Sequence, residues 1–104
     1  MAQAGLIVMY RWRLKPGCEQ SFVDAWSEVT QELLSHGSRG SRLHRGSDGI
    51  WYAYAQWPSA KARRRAFDAP PANADARVRM QEAVAEHLPE VTLEVTADFL
   101  VSSP

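Results

Sequence analysis

The chain has 104 residues, which suits one domain over residues 1–104 with its core at about residues 6–101. Twelve basic and twelve acidic side chains cancel, which excludes a global field that would attract nucleic acid or an anionic membrane. No apolar run approaches the roughly 20 residues that span a bilayer, and the single Cys18 excludes an internal disulfide.

The first residues lack a basic n-region, and residues 5–10 are too short for a secretory apolar core. These absences lead to the expectation of a cytoplasmic protein that binds neither membrane nor nucleic acid.

Residues 1–4 are expected to form a loose tail. Residues 6–14 read as a strand. Leu6, Val8, Tyr10, Trp12 and Leu14 fall on one face, and Ile7, Met9, Arg11 and Arg13 on the other. Lys15-Pro16-Gly17 is a turn. Residues 18–36 predict a helix, because Phe22, Trp26, Val29 and Leu33 recur at spacings of four, three and four. Residues 40–46 form a weaker strand, and Asp48-Gly49 is a hairpin signal.

Residues 49–57 are the most distinctive stretch. Ile50, Tyr52, Tyr54 and Gln56 alternate with Trp51, Ala53, Ala55 and Trp57. Two alanines between two tryptophans leave room for a close-packed helix or for a flat ligand. Pro58 stops this strand, and Ser59 can cap a helix to about Asp68, which Pro70-Pro71 breaks.

Asn73 can cap a third helix to about Leu88. Ala76, Met80, Val84, His87 and Leu88 would share a face, and Pro89 would end it. Residues 90–101 then read as the last strand, with Val91, Leu93, Val95, Ala97, Phe99 and Val101 on one face and Asp98 on the other. Residues 102–104 are a tail.

The order β-α-β-β-α-α-β predicts an α+β, ferredoxin-like fold: a four-stranded antiparallel sheet with helices on one face. Ile7, Met9, Ile50, Tyr52 and Tyr54 would then leave an apolar patch on the other face. A homodimer packed sheet to sheet, a dimeric α/β barrel, is the expected remedy.

Leu14-Lys15-Pro16-Gly17 closing strand 1, Phe22 and Trp26 on the first helix, Gly40 opening strand 2 and Trp57-Pro58-Ser59 closing strand 3 together resemble the antibiotic biosynthesis monooxygenase domain. The resemblance covers about residues 6–101. It implies dimeric α/β barrels of ferredoxin-like protomers. In some members it implies oxidation of phenols to quinones by O₂ without metal or flavin, so no cofactor is expected. Other members degrade haem or act on small quinols.

Trp57 matches the Trp that lines the pocket in the aromatic-oxidising members. Their Asn four residues earlier is Ala53 here, and their Tyr six residues later is Arg63. The haem-degrading triad finds only Tyr10, then Ala66 or Phe67, then Ala76 or Arg77.

By this resemblance Trp57, Trp51, Ala53 and Ala55 face the helices together with Tyr10 and Trp12. The expected catalytic residues are Trp57, His87 and Tyr10. The expected substrate pocket is Trp12, Trp26, Trp51, Ala53, Ala55, Phe67 and Met80, and its ligand a small aromatic phenol or quinol. Each residue also has a plainer reading. Trp57 can fill core volume, Ala53 and Ala55 can admit a helix, and His87 can sit at a helix end near the last carbonyls.

The run Lys61, Arg63, Arg64 and Arg65 reads as a solvated face. Cys18 has no sequence partner for catalysis, and His36, His44 and His87 show no metal-ligand spacing. Residues 48–54 imitate an RNA-binding strand only loosely, since Asp48 stands where Lys or Arg belongs. Two functions follow from the sequence: a cofactor-independent monooxygenase-like enzyme, or a non-catalytic small-molecule-binding or structural homodimer of the same fold.

Overall fold

The alternating residues at the start of the chain form β1 (Leu6–Leu14), and the Pro16-Gly17 turn leads into α1 (Glu19–Ser35). Then come β2 (Ser41–Arg45), β3 (Trp51–Trp57), α2 (Ala60–Asp68), α3 (Ala74–Glu82) and β4 (Val84–Leu93). The computed structural model describes residues 5–101. The tails expected at residues 1–4 and 102–104 lie outside the described residues.

The strands pair antiparallel in the order β2-β3-β1-β4, which is the ferredoxin-like sheet. The local signals behave as their chemistry dictates. Gly49 takes a positive φ of 83° in the β2–β3 hairpin. Ser59 Oγ accepts from Ala62 N–H at 3.0 Å, and Asn73 Oδ1 from Ala76 N–H at 3.1 Å.

The core lies between the sheet and the helices. Val8, Ala55, Trp57 and Ala66 form one buried cluster, and Trp12, Phe22, Ala53 and Ala83 another. Phe22, Val8 and Trp57 are the largest side chains almost fully removed from water.

The α2–α3 connection is fastened to α1 by two carboxylates. Glu32 accepts from the N–H groups of Ala72 and Asn73 at 3.0 and 3.3 Å. Glu28 accepts from Asn73 Nδ2 at 2.7 Å and from Arg79 at 2.9 Å. Arg79 and Asn73 hold the Glu28 carboxyl below its usual range. The Ala72 N–H does the same for Glu32, followed by Asn73 and Arg77, against the pull of burial.

The C-terminal third departs from the sequence expectation. The third helix ends at Glu82, six residues before Leu88, and the last strand is Val84–Leu93 rather than residues 90–101. The nine-residue β1 takes a hydrogen-bonding neighbour along its outer edge, and residues 84–93 supply it. Lys15 N–H donates to Ala83 C=O at 2.9 Å where the exchange begins.

Two register shifts interrupt the period of two and put Val84, His87 and Glu90 on the helix side at spacings of three, which imitates a helix, while Leu88 pairs with Arg11 and turns to the other face. His87 is therefore a strand residue opposite Trp12, not the helix-end histidine expected.

Pro89 does not stop a helix but lies inside β4, an edge strand, at the first bulge. Proline lacks an N–H and is tolerated there. Its carbonyl accepts from Arg11 Nε and an Arg11 terminal nitrogen at 3.1 and 2.8 Å.

Val91 and Leu93 stand opposite Met9 and Ile7, so this apolar set lies on the face away from the helices. Residues 94–101 form no strand, contrary to the alternation, and Phe99, Leu100 and Val101 are almost wholly exposed. Residues 94–100 run beside Ile7 and Tyr54, and Ile7 is only 3% exposed, which covers part of the patch expected to be open.

Candidate functional site

A cavity of about 360 Å³ opens on the helix side of the sheet, and every element contributes to its wall. This volume suits a small organic ligand. Tyr10 and Trp12 come from β1, and Ala55 and Trp57 from β3. They share one face by the period of two. Trp26, Val29, Thr30 and Leu33 come from α1, whose apolar stripe turns inward. Ser38 and Ser41 flank the entry to β2, Arg63 and Phe67 belong to α2, and Met80 to α3. His87 and Glu90 come from β4 and are solvent-exposed at the rim.

The bulge decides the last two positions. His87 and Glu90 are three apart and would point to opposite faces of a regular strand. Met9 pairs with Val91 while Arg11 pairs with Leu88, so Tyr10 is opposed by both Pro89 and Glu90. The extra residue returns Glu90 to the face that carries His87.

The polar groups of the cavity form one chain. Arg63 Nε donates to the Tyr10 hydroxyl oxygen at 3.1 Å. The Arg63 terminal nitrogen donates to both Glu90 carboxylate oxygens at 2.9 and 2.8 Å. The guanidinium also lies 5.5 Å from the ring centres of Tyr10 and Phe67.

Burial pushes the Tyr10 phenol up, and the neighbouring Arg63 only partly offsets this. Burial works against the Arg63 charge, but Tyr10 and Glu90 hold it protonated. Tyr10 is thus a neutral phenol whose oxygen already accepts a hydrogen bond, leaving its O–H as a donor.

Trp57 supplies a second donor. It is 1% exposed, and its indole Nε1–H is buried without a hydrogen-bond partner. It pulls weakly on the Tyr10 phenol yet makes no hydrogen bond of normal geometry with it. An orphaned buried N–H is costly. Its ring leans on Phe67, with centroids 5.8 Å apart, and Tyr10 stacks beside Trp12 at 6.0 Å. Among the described residues there is no group of three His, Cys, Asp or Glu side chains that could hold a metal ion.

Of the ten residues singled out from sequence, Tyr10, Trp12, Trp26, Ala55, Trp57, Phe67, Met80 and His87 line this cavity. Trp51 and Ala53 do not. Ala53 is fully buried in the cluster of Trp12, Phe22 and Ala83, and Trp51 packs edge-on to Phe22 at 6.3 Å beneath Arg45. The two alanines of β3 thus have different roles: Ala53 admits close packing and Ala55 borders the cavity.

Arg63 and Glu90 were not recognised from sequence. Its place in a basic run hides Arg63 in the sequence, and Lys61, Arg64 and Arg65 are indeed exposed. The available signal was its spacing of three from buried Ala66 and four from Phe67. No sequence signal marks Glu90, because its direction depends on the bulge.

Neither a protein-family model nor a curated protein matches the chain in sequence. Solved structures do match. SnoaB, a cofactor-independent oxygenase from Streptomyces nogalater, superposes with a TM-score of 0.76 at 15% identity, covering 93% of this chain and 98% of its own.

The ActVA-Orf6 monooxygenase of Streptomyces coelicolor, solved with the ligand nanaomycin D, gives 0.74 at 23% identity, covering 95% and 94%. A Bordetella bronchiseptica protein classed with the antibiotic biosynthesis monooxygenases gives 0.77 at 16%, covering 91% and 100%. The chain has the fold of the antibiotic biosynthesis monooxygenase proteins.

Proposed function

We propose that this protein is a cofactor-independent monooxygenase that oxidises a small planar phenol or quinol with O₂ in the cavity between sheet and helices. The observation that carries the reading is the unpartnered Trp57 N–H in an aromatic-walled cavity, beside the Tyr10 hydroxyl. A shift of the wall on ligand entry would bring a ligand oxygen to that donor, and the Trp57, Phe67 and Trp12 rings would flank a flat molecule.

His87 at the rim is the base that takes the phenolic proton. Burial keeps Tyr10 protonated, so it serves as donor to the developing oxyanion rather than as base. The phenolate gives one electron to O₂, and the radical pair recombines into a carbon–oxygen bond. The resulting hydroperoxide loses water to leave the quinone. One oxygen atom enters the product and the other leaves as water.

The acting form is a cytoplasmic homodimer joined through the outer sheet face, where Met9, Tyr52, Tyr54, Val91 and Leu93 gather. In support of a water-soluble setting, no helix among the described residues is long and apolar enough to cross a membrane.

The test is O₂ uptake with anthrone-type and quinol substrates, comparing wild type with Trp57→Phe. Wild-type uptake above buffer that falls at least about tenfold in the variant supports the reading. Uptake at buffer level, or equal in both proteins, overturns it.

A second reading, a non-catalytic binding dimer, draws support from Ala53 and Arg63, which stand where the aromatic-oxidising proteins are expected to carry Asn and Tyr. A ligand that raises the melting temperature but never turns over selects it.

A further inference from the structure

Besides the Tyr10 phenol, the cavity contains three ionisable side chains: Arg63, Glu90 and His87. The rest of its wall is aromatic, aliphatic or hydroxyl. An arginine beside an aromatic pocket ordinarily recruits a carboxylate, because its planar fork matches two oxygens. Here the Arg63 charge is already balanced, and its Nε and one of its two terminal nitrogens are engaged. Both Glu90 oxygens lie within 2.9 Å of the same Arg63 nitrogen, and Arg63 Nε is committed to Tyr10.

The ion pair bridges α2 to the bulge of β4, so an anionic ligand entering beside it meets a neutralised cation and an exposed carboxylate. The second terminal nitrogen of Arg63 takes part in none of these bonds, but Glu90 balances its charge, and the Tyr10 O–H is an uncharged donor.

We propose that Glu90 is a specificity-determining residue: by occupying Arg63 it makes the cavity select uncharged planar ligands bearing an acceptor oxygen, such as an aryl ketone, over aryl carboxylates. The inference rests on the reading of the cavity as an aromatic ligand site. It adds the sign of charge that the site refuses and the residue that sets it. The β4 bulge is what makes this possible, because Glu90 reaches Arg63 only from the face the bulge gives it.

A matched pair of probes tests it: 1-acetylnaphthalene and 1-naphthoate share a ring system and differ in charge. Their binding to wild type, Glu90→Gln and Arg63→Met is measured by equilibrium dialysis at one fixed pH. Wild type is expected to hold the ketone at least about tenfold more tightly than the carboxylate. Glu90→Gln, which has the same shape without the charge, is expected to bring 1-naphthoate to parity or better by leaving the Arg63 charge uncompensated. Arg63→Met is expected to keep the carboxylate excluded.

A wild type that holds both probes within about threefold, or a Glu90→Gln variant that leaves their ratio unchanged, overturns the inference while leaving an aromatic site standing. The expected ratios without any O₂ uptake would remove the oxidation reading and leave this one intact. Failure of both probes to bind every variant removes both.

Discussion

Arg63 Nε donates to the Tyr10 hydroxyl across 53 positions of chain, and this bond joins α2 to the centre of the sheet. Burial and Arg63 act on the phenol in opposite directions, and burial prevails. Tyr10 is therefore expected to ionise above the usual tyrosine value of about 10, and Arg63→Met to raise it further. Because the folded value exceeds the unfolded one, this group's contribution to stability is whole below about pH 10. It is lost as pH rises through the folded value. Alkaline titration by tyrosinate absorbance, with Tyr10→Phe subtracted to isolate this group, checks the shift. A Tyr10 component at or below the usual value would refute it.

Trp57→Ala and Trp57→Phe should separate packing from recognition. The alanine variant empties a fully buried site and should cost roughly 3–5 kcal/mol. The phenylalanine variant keeps most of the ring and removes an N–H that has no partner. It should cost no more than about 1–2 kcal/mol while weakening a ligand that bonds to that N–H. Urea unfolding read beside ligand binding distinguishes the two effects.

Glu28 and Glu32 make the α2–α3 connection sensitive to acid. Their folded values lie below the unfolded ones, so their stabilisation is present above the usual glutamate value and is lost as pH falls through the folded values. Glu32→Gln removes the charge that the Ala72 and Asn73 N–H groups bind. At neutral pH its melting temperature should fall by roughly 5 °C, and its acid limb should be flatter than that of wild type. Calorimetry across the acid range measures both.

The outer sheet face supplies a test of assembly. Val91 is 42% exposed and stands opposite Met9. Val91→Lys places a charge in the apolar patch through which the homodimer is proposed to form. Light scattering at micromolar concentration should report a dimer for wild type and a monomer for the variant. A monomeric wild type would sink the proposal.

The first two-thirds of the chain was legible because local chemistry and tertiary demand agree there. Ser59 and Asn73 are good caps and they cap. Trp51, Ala53, Ala55 and Trp57 alternate and share a face. The aromatic lining followed from that alternation.

Residues 83–101 were illegible for two physical reasons. Ala83-Val84-Ala85-Glu86-His87-Leu88 is compatible with a helix in isolation, and only the open edge of β1 turns it into a strand. The alternation of residues 91–101 signals a strand, but pairing stops at Leu93. The polar half of the site was hidden by the same cause, since Glu90 acquires its direction from a non-local register.

The bulge at Pro89 means that length, as much as identity, specifies this cavity. Deleting one residue there would restore the period of two from His87 to Val91 and rotate one flank by half a turn against the other. Either His87 or Glu90 would then leave the cavity for the outer face. A single codon lost or gained could thus change the charge and chemistry of the pocket without altering any residue that touches the ligand. Proteins sharing this fold can differ in what they accept through a shift in strand count that comparison of side chains alone would miss.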